Sequence, residues 1–329
     1  MPVFVTVCFG IACAVASFFF TRSYINKKSA NIPAIQDASL FNCTFEVTRL
    51  SGYEYVKPLL FAEEKCQTPR FSNIREQLQQ IINNYIQPGT IQNASVYLRE
   101  LNTGEWLSIG ENEKYLPGSL MKVPELITFM KMNEKDPGLL NKSILYDSRM
   151  VVPKNAVFTT KTIEPGKSYT IKELLYNMIA YSDNISTMLL NSVMDLSIFK
   201  KTFTDLGIHE PDLTKKDIPL TAREFSRFMR TIYNASYLSS KDSEFCAELL
   251  SKSDFTTGLL QGLPKNSKVL HKFGEAGDKD FAHFSESGII YTKNKTYLLT
   301  VMTKGKKLKS LPPIVGEISN RAYGMIEQL

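Results

Sequence analysis

Between residues 74 and 86 the apolar positions Ile74, Leu78, Ile81, Ile82 and Tyr85 recur at helical spacing. Residues 94–98 and 105–109 then read as two strands on either side of Asn102, Thr103 and Gly104, a hairpin signature. From about 119 to 260 the pattern turns helical, with candidate helices over 121–131, 171–180, 185–194 and 222–234. Thr170 stands where an N-cap is needed, and Glu173 occupies the capping-box position three residues later. Strand patterns return at 268–272, 287–291 and 297–302, and a last helix covers 313–327. Strands at both ends of a helical stretch predict an α+β fold. Its single antiparallel sheet draws on distant pieces of chain, flanked by terminal helices, with a mostly helical subdomain inserted. Internal repeats and low-complexity segments are absent from the sequence.

Residues 2–20 are almost wholly apolar and end at Thr21 and Arg22, just long enough to span a bilayer as a helix. A cleaved signal peptide is the rival reading, since Ala14-Val15-Ala16 has the small-residue pattern of a cleavage site. The apolar run continues past that site and no basic segment precedes it, which favours an uncleaved anchor over 1–22. Arg22, Lys27 and Lys28 follow the span and by charge alone would hold the domain on the cytoplasmic side. After a polar linker (23–37), alternating stretches such as Tyr53 to Val56 suggest a small strand-rich pre-domain over 38–70, and the main domain takes 71–329. Within this segment Cys43 and Cys66 flank the alternating stretches and could form a disulfide in an oxidising compartment. Cys246, alone in a helical stretch, reads as a buried apolar residue.

A net charge of +6 over 329 residues is mild and does not suggest nucleic acid. The basic run from Lys304 to Lys309 reads as a solvated turn. Three histidines, and no paired Cys/His spacing, leave no basis for a zinc site. No organic cofactor is implied, and a monomer is expected.

Three short motifs carry the chemistry. Ser119-Leu120-Met121-Lys122 places a lysine one helical turn after a serine, so the amine can reach the hydroxyl it would deprotonate. Pro117-Gly118 supplies a turn that exposes the serine, and a helix N-terminus offers N–H groups to an oxyanion. Ser182-Asp183-Asn184 follows the helix over 171–180 and so falls in a turn between two helices. Its hydroxyl can pass a proton to a leaving amine, and Asn184 can hold Lys122 or a substrate amide. Asp183 is equally suited to capping a helix. Lys272-Phe273-Gly274 ends a strand-like run, with a cation for a substrate carboxylate and a glycine that admits a close backbone. The amide of Glu275 is the expected second oxyanion donor. Taken singly, each motif is also an ordinary cap or surface residue; in this order they form one signature.

From about Ile91 to its C-terminus the chain resembles the class A β-lactamase-like serine hydrolases of the wider penicillin-binding fold. The resemblance implies that Ser119 is acylated, Lys122 is its base, and Ser182 shuttles a proton. It also implies that Asn184, Lys272, Gly274 and Glu275 bind substrate, either a β-lactam or a peptidoglycan stem peptide. Such an enzyme belongs outside the cytoplasm, and the motifs outweigh the charge pattern around the apolar span. Two departures stand out. Phe273 replaces the usual hydroxyl residue of the third motif. Glu210-Pro211-Asp212-Leu213-Thr214 resembles the loop that carries the water-activating glutamate, but Thr214 replaces its Asn and the loop is contracted. Glu210 is therefore either the deacylating base or a surface acid. A β-lactamase is the first reading; a D-alanyl peptidase and a non-hydrolysing penicillin-binding sensor are the alternatives.

Overall fold

The computed structural model describes residues 43–151, 156–215, 217–277 and 280–329. The chain divides into two compact units, Met1–Thr44 and Phe45–Leu329, and only Cys43 and Thr44 of the first are described. The apolar run over 2–20 and the linker over 23–37 lie outside the described residues. Among the described residues no helix is long and apolar enough to cross a membrane. Cys43 and Cys66 are both disulfide-bonded, whereas Cys246 is free and buried.

The second unit is built on a five-stranded antiparallel sheet. Its strands are β3 (Ile91–Glu100), β4 (Trp106–Ile109), β7 (Lys268–Gly277), β8 (Ala282–Tyr291) and β9 (Thr296–Gly305), in the order β4-β3-β9-β8-β7, while β5 (Ser143–Leu145) and β6 (Ser168–Thr170) pair separately. Val96 pairs with Val301, so the first long strand lies against the last, and the helical stretch between β4 and β7 is inserted. Helices α1 (Ser72–Ile86) and α8 (Leu311–Gln328) cover one face, burying Leu78, Ile82, Ile314 and Ile318 against Val96, Leu299 and Val301. The other face carries the helices α2 (Lys122–Lys135), α3 (Ile171–Ala180), α4 (Asn184–Asn191), α5 (Leu196–Asp205), α6 (Ala222–Asn234) and α7 (Ser240–Leu250). The α+β architecture and its helical insert are those the sequence pattern predicts.

Local chemistry fixes most helix ends. Thr170 and Glu173 form a reciprocal capping box at α3, and Thr221 and Glu224 form a second at α6. The helix expected over 185–194 stops at Asn191, and Asp195 starts α5 by accepting from the N–H groups of Ser197 and Ile198. That aspartate is the punctuation the periodicity missed. The strands β7, β8 and β9 are each ten residues, longer than their apolar runs, because polar residues such as Ser285 and Thr303 are buried in the ladder.

The hairpin β1 (Phe45–Arg49) and β2 (Leu59–Glu64) belongs to this same unit. Leu60 and Phe61 join its core, and Glu63 adds an ionic anchor. It is buried beside Arg230, with Arg227 at 3.6 Å, Arg99 at 3.8 Å and Arg223 at 3.9 Å. Burial alone would raise its pKa, but the surrounding guanidinium charges win and hold it below the ordinary carboxylate value.

Candidate active site

Ser119 sits in a single 3₁₀ turn, Gly118–Met121, that runs directly into α2. Pro124 falls in the first turn of α2, where its missing N–H costs nothing. Two glycines press this turn onto the edge strand β7. A Cβ on Gly118, whose φ is +53°, would lie 2.2 Å from the carbonyl oxygen of Glu275. A Cβ on Gly274 would lie 2.1 Å from the carbonyl oxygen of Pro117 and 3.0 Å from the nitrogen of Ser119. The main chains of Ser119 and Glu275 therefore meet at one junction, and only glycine at both positions permits it.

Lys122 points from α2 into the protein and is buried. Its amine donates to the Ser182 carbonyl oxygen at 2.7 Å, to Asn184 Oδ1 at 2.8 Å and to Ser182 Oγ at 3.2 Å. A protonated lysine has three N–H donors, and these partners take all three. Lys272, from β7, donates to the same Ser182 Oγ at 2.8 Å and to its neighbour's carbonyl, Phe273 O, at 2.9 Å. Ser182 is held between the two amines in a left-handed conformation, φ +56°. Asp183 is the N-cap of α4, accepting from the N–H groups of Ile185 and Ser186. That cap fixes the turn on which Ser182 and Asn184 ride.

The two lysines are tuned by burial. Desolvation lowers Lys122 from 10.5 to about 8, against the opposing pull of Glu125, Asp183 and Glu275. Desolvation also lowers Lys272 well below its ordinary value, and the charge of Lys122 lowers it further. A lysine that loses its proton near neutrality regains a lone pair, which is what a base for a serine hydroxyl requires.

The sequence profile of the beta-lactamase enzyme family matches residues 73–326. The chain belongs to that family. No curated protein sequence matches it, but many solved structures share its fold. PBP-A superposes with a TM-score of 0.66 at 21% identity, over 78% of this chain and 97% of that one. A PBP-A variant, solved as an acyl-enzyme complex with penicillin G, gives a TM-score of 0.65 at 21% identity over the same shares. The class A β-lactamase of Mycobacterium abscessus gives 0.66 at 17% identity, over 77% and 99%. At such identities the likeness establishes the fold. Family and fold together make the chain a β-lactamase-like hydrolase.

The structure brings Lys122, Ser182, Asn184 and Lys272 into one cluster beside the junction of Ser119, Gly274 and Glu275. It does not bring Glu210 there. The Glu210 carboxylate is 56% exposed and pairs with Lys200 at 3.0 Å, so the contracted loop leaves it as a surface acid. The acid that acts most strongly on Lys122 is Glu125, buried on the same helix. It lines a cavity of about 440 Å³ with Gly118, Met121, Asn191 and Leu213. Burial raises Glu125 to about 7, while Lys122 and a hydrogen bond with Asn191 pull the other way. Its spacing three residues after Lys122 sets it on the same helical face, a signal legible in the sequence although it belongs to none of the three motifs. Among the described residues no cluster of His, Cys, Asp or Glu is placed to hold a metal ion.

Proposed function

We propose that the chain is a serine acyl-transfer hydrolase that opens a β-lactam amide through a Ser119 acyl-enzyme. The observation that carries this is Ser182 Oγ held between two buried lysine amines, one of them a helical turn beyond Ser119. Neutral Lys122 takes the proton of Ser119 as its oxygen attacks the acyl carbon. The carbonyl electrons move to oxygen, where the N–H groups of Ser119 and Glu275 are the donors for the developing charge. As the C–N bond breaks, Ser182 gives its proton to the leaving nitrogen and is reprotonated from Lys122. Asn184 keeps Lys122 aimed, and Lys272 keeps Ser182 aimed. The acyl-enzyme that a PBP-A variant forms with penicillin G, on the same fold, supports this reading.

The surface position of Glu210 favours a second reading for the step that follows. Without that carboxylate at the acyl group, water removes it slowly, as suits a D-alanyl peptidase or a penicillin-binding sensor better than a fast β-lactamase. The disulfide-bonded Cys43 and Cys66 fit an extracytoplasmic domain, which we propose is tethered by the apolar segment over 1–22. Intact mass after exposure to benzylpenicillin, followed over hours, tests the mechanism. The wild type should gain the mass of the drug and Ser119→Ala should not; labelling that persists in Ser119→Ala would remove Ser119 from the reaction.

A further inference from the structure

The third motif has an aromatic ring where a hydroxyl would normally stand, and the packing shows what that ring does. Phe273 stacks on Phe255 with ring centroids 4.1 Å apart, and Phe158 and Phe284 close around it at 6.2 Å each. Phe273 is only 1% exposed. Its ring also lies over the Lys272 amine, 4.1 Å from ring centre to Nζ. Lys272 is the cation on β7 that could pair with a substrate carboxylate. Its amine is fully enclosed, and Ser182 Oγ, Phe273 O and the ring occupy its surroundings.

The same face of the strand carries an acid. Side chains alternate along a strand, so Glu275 shares the face of Phe273, and the register sets Phe284 directly opposite Glu275. Glu275 Oε1 accepts from the N–H of Phe158 at 3.3 Å, and Oε2 is buried with no hydrogen-bond partner. A second carboxylate, Asp254, stands next to Phe255 and is bonded by the Thr160 hydroxyl. Among the described residues the wall beside the nucleophile turn is thus aromatic and acidic, and the Lys272 amine faces inward.

From this wall we infer that the chain takes acyl donors whose end facing β7 is uncharged or offers N–H donors, and turns away donors that carry a carboxylate there. The inference rests on the Ser119 acyl-transfer reading. A carboxylate at this wall meets like charge from Glu275 and finds Lys272 covered, whereas a primary amide or an amine supplies the donor that Glu275 Oε2 lacks.

The test compares benzylpenicillin with its methyl ester and its primary amide on the full chain, reading the rate of Ser119 acylation by intact mass. The amide should acylate at least about tenfold faster than the free acid, with the ester between them or equal to the amide. Glu275→Gln should raise the rate of the acid and narrow the gap. Phe273→Ser should do the same by uncovering Lys272; should that variant fail to fold, Glu275→Gln carries the test. A free acid that acylates as fast as both neutral forms overturns the inference and leaves the Ser119 mechanism standing. An unchanged gap in Glu275→Gln also overturns it, since the acid would then be irrelevant to selection. Labelling by none of the three overturns the acyl-transfer reading itself, and the inference falls with it.

Discussion

Lys272 Nζ donates to Ser182 Oγ at 2.8 Å across 90 residues of chain. This contact joins the edge strand of the sheet to the turn between two helices of the insert. It makes Ser182 the meeting point of both lysines, so that the hydroxyl is oriented before any substrate arrives. Removing it in Ser182→Ala should slow acylation by about 10²–10⁴-fold, the usual contribution of a positioned proton donor. The rate of mass gain with benzylpenicillin measures this, and a near-normal rate would assign the proton transfer to another group.

Acylation should depend on pH through Lys122. Its ordinary value of 10.5 is lowered by burial to about 8, so the rate should rise as pH climbs through about 8 and level off above. Between about 8 and 10.5 the unfolded chain binds the extra proton, so Lys122 costs stability below that window and the cost is relieved as pH rises through it. Glu125, Asp183 and Glu275 all favour the charged amine, and Lys272 opposes it. Glu125→Gln removes the largest of the favourable charges and should move the rising limb to lower pH. A limb that stays in place in Glu125→Gln would show that the buried acid does not act on Lys122.

Glu210→Gln should leave both acylation and deacylation nearly unchanged. The side chain is 56% exposed and its partner Lys200 is 39% exposed, so even stability should shift by no more than about 1 kcal/mol. Single-turnover decay of the acyl-enzyme reads this directly. A trapped acyl group in the variant would restore Glu210 as the hydrolytic base.

Gly274→Ala should disable the site while the core still folds. The new methyl would lie 2.1 Å from Pro117 O and 2.6 Å from Leu120 N, forcing the nucleophile turn away from β7. A displacement of about 1 Å costs roughly 10²-fold in rate when reacting groups are misaligned. Circular dichroism should stay native while acylation falls; full activity would mean that the turn and strand can separate without harm.

The sequence by itself determined whatever depends on near neighbours. The Thr170/Glu173 capping box, the helix Ile171–Ala180 and the hairpin around Gly104 involve contacts a few residues apart, and their side chains announce them. It also carried the three motifs, because the chemistry of a serine, two lysines and a glycine is tied to residue type. The longer strands and the break between α4 and α5 escaped it, since buried polar residues and a single capping aspartate leave the apolar period unchanged. Only the tertiary structure decided which groups share a site. It put Ser182 between lysines 60 and 90 residues away, left Glu210 on the surface, and brought Glu125 into the cavity beside Gly118. It also turned the ring of Phe273 over the Lys272 amine. Burial and charge act through space, and the distances that set them arise only when remote segments pack.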